Sequence, residues 1–70
     1  MSREKELFDL RYHRIEAETS KAVLVRFKPR EEPVWMPLSQ VELDRDEKII
    51  TVPDWLADEK DLDIDDLQVI

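Results

Sequence analysis

The chain has 70 residues and a formal charge of −7, and it contains neither cysteine nor glycine. So short a chain makes one domain at most and buries only ~60% of the surface it would expose unfolded. The missing residue types exclude disulfides, thiolate nucleophiles, sulfur-ligated metals and the glycine loops that cradle nucleotide phosphates.

The opening MSREKE is charged with no apolar run behind it, so residues 1–6 read as a flexible start and not as a signal peptide. From there Phe8, Leu10 and Tyr12 share one parity, with Asp9, Arg11 and His13 on the other, which is strand alternation. Ile15 and Ala17 fall on the opposite parity, and a bulge near His13-Arg14 accounts for the slip. Glu18-Thr19-Ser20 is a turn. Lys21 to Phe27 is apolar on both parities and predicts a central strand covered on both faces. A polar loop follows, closed by Pro29 and Pro33.

The stretch EPVWMPLSQVELD, residues 32–44, changes its apolar register within a few residues. Val34, Met36 and Leu38 share a parity that Val41 and Leu43 do not. Pro37 fixes φ and Ser39 suits a turn, so a corner lies between Pro37 and Gln40. The S-x-x-E pattern from Ser39 to Glu42 allows one helical turn there. Trp35 opposes Met36 in parity and is expected to be partly exposed.

Asp44 to Glu47 is an acidic turn, and Lys48 to Val52 a strand. Pro53 to Lys60 predicts a short helix, with proline at its first position and Asp54 suited to its N-terminus. Trp55 and Leu56 are expected to anchor it in the core. Short strands at this spacing predict a mainly β domain over residues 7–60. It should be a small antiparallel barrel or bent sheet of four or five strands, in the manner of Src-homology-3 or oligonucleotide-binding folds, with the short C-terminal helix at 53–60. Residues 61–70 form an acidic, aliphatic tail.

The charge is unevenly spread: +3 over residues 1–30, −4 over 31–53 and −6 over 54–70. Such asymmetry points to a binding tail or to one that shields a basic face, the alternative being that residues 61–70 complete the domain's own sheet as a last strand. Asp61, Asp63, Asp65 and Asp66 are interleaved with aliphatics that include Ile64 and Leu67, and these six with Trp35 are the candidate partner-binding residues. The expected partner is a protein with a basic surface. An alternative site is a basic and aromatic one of Arg11, Arg14, Arg26, Lys28, Arg30 and Tyr12, which would hold single-stranded nucleic acid by backbone charge and stacking. The net negative charge favours the protein partner.

Catalysis is not expected. His13, the single histidine, lies among charged residues on the solvated side of a strand, and no serine sits in a nucleophile context near it. Asp61, Asp63 and Asp65 open like a calcium loop, but Asp66 stands where that loop needs glycine and the chain ends before its last ligand. No metal or cofactor is therefore expected. The longest clean aliphatic run, Ala22 to Val25, is far below the ~20 residues a spanning helix needs, so the expectation is a cytoplasmic protein with no membrane partner. Oligomeric state is open.

The segments KAVLV, VWMPLSQVEL and ITVPDWLADEKDL, across residues 21–62, together resemble a class of small uncharacterised proteins encoded by bacteriophages and prophages. Their shared pattern is V-W-x-P-x-S-Q-x-E followed by I-T-V-P-x-W-L-A. The resemblance carries over no activity. It implies an accessory protein in a bacterial host, either an inhibitor of a defence or nucleic-acid-processing factor or a replication and recombination accessory. The ending DIDDLQVI is similar in composition to the partner-recruiting tails of bacterial single-stranded-DNA-binding proteins.

Overall fold

The computed structural model describes residues 6–69. Residues 1–5 of the expected flexible start, and Ile70, lie outside the described residues. The fold is mainly β: two three-stranded antiparallel sheets enclose one core, with two short helices at the C-terminal end. The first sheet holds β1 (Leu7–Arg11), β6 (Ile49–Pro53) and β5 (Glu42–Asp44), in that order across the sheet. The second holds β2 (Arg14–Glu18), β3 (Ala22–Arg26) and β4 (Val34–Pro37). Six strands form where four or five are expected, because the first expected strand is divided into β1 and β2, one in each sheet. Among the described residues, no helix is long and apolar enough to cross a membrane.

The parity slip after Tyr12 is not a bulge but a change of sheet. Tyr12 N–H still donates to the Lys48 carbonyl beside the first sheet at 2.9 Å, whereas His13 N–H donates to the Arg26 carbonyl of the second at 2.8 Å. Two outward residues, His13 and Arg14, accommodate the crossing, and Ile15 then points inward beside Val25. The bulge itself lies one step on. Glu16 is the extra residue between the pairs Ile15–Val25 and Ala17–Leu24.

The turn from β2 to β3 works without glycine. The Thr19 hydroxyl accepts the N–H groups of Lys21 and Ala22 at 3.2 and 3.0 Å, and Thr19 N–H donates to the Ala22 carbonyl. β3 is central, as its composition predicts, but it is covered on one face only. Val23, Val25 and Phe27 are buried, whereas Ala22, Leu24 and Arg26 are half-exposed because no layer of the described residues packs over them. Across the corner a single 3-10 turn spans Leu38–Gln40, with Ser39 inside it and no side-chain cap.

The core joins Leu10, Tyr12, Val23, Val25, Met36, Ile50, Val52 and Leu56 with Phe27, Val41, Ala57 and Leu67. Helix α1 (Asp54–Glu59) begins after Pro53, which closes β6 and serves as the helix N-cap and not its first residue. The helix buries Leu56 and Ala57. Trp55 is not its anchor: 44% of it is exposed, since the angular step of a helix places it beside the buried pair and not between the sheets.

Two residues occupy the left-handed region that favours glycine, Lys48 at φ 58° and Asp61 at φ 60°. Asp61 closes α1 in a Schellman arrangement: Asp61 N–H donates to the Asp58 carbonyl and Leu62 N–H to the Ala57 carbonyl. Lys48 ends the β5–β6 turn. Aspartate enters this region more readily than lysine, whose side chain offers no local hydrogen bond to the backbone. Lys48→Gly is therefore expected to stabilise the fold by about 1 kcal/mol, and Asp61→Gly by less. Thermal unfolding followed by circular dichroism checks this, with the midpoint rising by roughly 4–8 °C per kcal/mol. A lowered midpoint for Lys48→Gly would refute it.

Candidate functional site

Residues 61–69 do not hang free. Asp63 caps a one-turn helix α2 (Ile64–Leu67), its carboxylate accepting the Asp66 N–H at 3.3 Å. Leu67 is only 7% exposed and belongs to the core. After it, Gln68 bridges antiparallel to Leu10, and Val69 N–H donates to the Asp9 carbonyl at 2.9 Å. The segment thus adds a rudiment of a strand to the free edge of β1. Its period is helical before Leu67 and extended after it, so one of its aliphatics can enter the core while the carboxylates stay outside.

This divides the candidate partner-binding residues. Asp61, Asp63, Asp65 and Asp66 are exposed, Ile64 is half-buried against the core, and the Leu67 side chain is unavailable to any partner. Trp35 is 45% exposed, as its parity predicts, but it lies on the outer face of the second sheet whereas the tail docks on β1 of the first. The structure does not bring it together with the acidic segment.

A second acidic surface comes from strand pairing. Asp9 and Glu42 flank Thr51 across the outer face of the first sheet, and Asp44 lies beside Ile49 one step along it. With Asp46 from the following turn they line a shallow groove, whose Thr51 hydroxyl donates to Asp9 at 2.6 Å. Arg45 also lines this groove, but its guanidinium makes a two-bond contact with Glu18 of the second sheet at 2.9 and 3.0 Å. The two acidic surfaces share β1, where the Asp9 backbone meets Val69. The outward parity of Asp9 in β1 and of Glu42 and Asp44 in β5 is legible in each strand, but only the order β1-β6-β5 gathers them on one face.

The carboxylates of these surfaces are largely unneutralised. Among the described residues, Asp66 with Lys28 is the sole ion pair formed by any acid from Asp54 onward. Asp9, Glu42, Asp44 and Asp46 form none with a described residue. No three acidic or histidine side chains among the described residues are grouped so as to hold a metal ion.

The basic and aromatic alternative is dispersed. Arg14 and Arg26 both donate from Nε to Glu16, at 2.8 and 2.5 Å, and Arg26 also donates to the Glu31 carbonyl at 2.6 Å. The Arg26 and Arg14 hydrogen bonds hold the Glu16 carboxyl below its ordinary value. Lys28 pairs with Asp66, and Arg11 projects from the other sheet. Arg30 is exposed in the loop after β3. Tyr12 is 5% exposed and burial pushes its phenol above the ordinary value, so its ring is core and presents no stacking face.

No protein-family model matches the chain, and neither does any curated protein or solved structure.

Proposed function

We propose that the protein is a non-enzymatic accessory protein that binds a basic partner protein, its acidic side standing in for nucleic acid. The observation that supports this most is the set of exposed carboxylates on the helical end and the first sheet, of which Asp66 alone forms an ion pair among the described residues. An array of exposed, unneutralised carboxylates is a field that steers a basic surface toward it. Ile64 and Leu62, half-buried between the acids, supply the short-range apolar contact that charge alone cannot. In keeping with the phage resemblance, the partner is a defence or nucleic-acid-processing factor of the host cytoplasm whose basic groove the carboxylates occupy.

The variant Asp58→Asn, Asp61→Asn, Asp63→Asn, Asp65→Asn tests this. Asparagine also caps helices, so the fold should persist. Bacterial lysate passed over immobilised protein at low salt should yield a basic nucleic-acid-binding protein that a duplex oligonucleotide displaces. The variant should associate with it at least about tenfold more slowly. Equal capture by both forms, or capture indifferent to the oligonucleotide, would rule the reading out.

A further inference from the structure

The outer face of the second sheet carries a row of apolar residues where an uncovered sheet usually turns polar ones to solvent. The pairings Ala17–Leu24 and Leu24–Trp35 place these three side by side across β2, β3 and β4, and the next pairing adds Ala22 and Pro37. Ala17 and Trp35 are exposed, and Leu24 is half-exposed between them. Among the described residues, no element packs over the row.

The edge of β4 beside it resists strand addition. Leu38 N–H donates to the Lys21 carbonyl, so the alternation of an antiparallel ladder turns the backbone groups of Trp35 outward. The outward N–H positions two residues either side are Pro33 and Pro37, which have none to give. A partner strand would find a single donor. Contact at Trp35 is therefore made through the face and not the edge.

We infer that this face pairs with the same face of a second copy of the chain, about a two-fold axis that runs parallel to β3 and passes beside Leu24. Trp35 and Ala17 lie one strand to either side of Leu24, so the axis sets the Trp35 of each copy over the Ala17 of the other. Large meets small twice and Leu24 meets Leu24, which is the self-complementarity a two-fold interface requires. Charge selects the same face. A molecule of net charge −7 repels its own kind over most of its surface, but this face holds Arg14, Arg26 and Glu16 and carries no excess of negative charge. Three strands ~4.8 Å apart and four residues deep present a patch smaller than the ~800 Å² per partner of a stable complex. The dimer is accordingly weak and concentration-dependent. It leaves the acidic surfaces of the first sheet and the helical end uncovered, and it stands independently of the partner-binding reading.

Sedimentation equilibrium of the full chain from about 10 µM to about 1 mM should show the average mass rising toward twice that of one chain. Trp35→Ala should weaken self-association at least about tenfold, with its far-UV spectrum unchanged, while Trp35→Phe should keep most of it. The chain has no cysteine, so Leu24→Cys supplies a single thiol that a short bismaleimide should join into dimers. Thr51→Cys, on the other sheet, should not cross-link at the same concentration. A chain that stays monomeric to about 1 mM, or one whose self-association is unchanged in the folded Trp35→Ala variant, overturns the inference. Cross-linking through Thr51→Cys in preference to Leu24→Cys overturns it as well.

Discussion

A chain ending at Leu62 should lose its folded far-UV spectrum and its cooperative thermal transition. The missing segment holds Leu67, which is 7% exposed, and the backbone contacts of Gln68 and Val69 along β1. Truncating one buried leucine costs ~2–5 kcal/mol, and a domain of this size has roughly 4–10 kcal/mol in all. Deleting the whole segment also uncovers the edge of β1 and the neighbouring Tyr12 and Phe27. Of the two readings the sequence leaves open for this segment, a free binding tail and a last strand of the protein's own sheet, the burial of Leu67 and the bridge from Gln68 to Leu10 favour the second for its final residues. Single substitutions separate its two roles. Leu67→Ala should lower stability by about 2–4 kcal/mol in urea titrations, whereas Asp65→Asn should leave it within about 0.5 kcal/mol. A folded, cooperative 1–62 chain would show that the docked segment contributes little.

Substitution of the adjacent pair in α1 should give opposite results. Leu56 is fully enclosed between the helix and the sheets, so Leu56→Ala should cost ~2–5 kcal/mol, about half of the whole stability. Trp55, the larger side chain, is nearly half exposed and should cost about 1 kcal/mol or less when replaced by alanine. Urea unfolding of the two variants, monitored by circular dichroism to avoid dependence on tryptophan emission, distinguishes them. If Trp55→Ala proved the more damaging, the orientation of α1 against β6 would have to be different.

Period and composition by themselves determined where β1, β3, β4 and β6 run, that a corner lies after Pro37, and that a short helix follows Pro53. These features rest on local sterics: β-branched runs, side chains alternating along a strand, and prolines without a donor. They likewise determined that Trp35 and Met36 lie on opposite faces, whereas the packing of the two sheets decided that Met36 is the buried one. Only the tertiary structure decided what depends on residues distant in sequence. The slip after Tyr12 is a change of sheet because Lys48 and Arg26 supply the two hydrogen-bond partners, and neither is a sequence neighbour. Which of Trp55 and Leu56 enters the core depends on the direction from which β6 delivers the helix, a rotation that a six-residue segment does not encode. Leu67 is buried because β1 offers it an open edge. The acidic groove around Thr51 and the row from Ala17 to Trp35 both depend on pairing register, and a register is a relation between strands that no single strand contains.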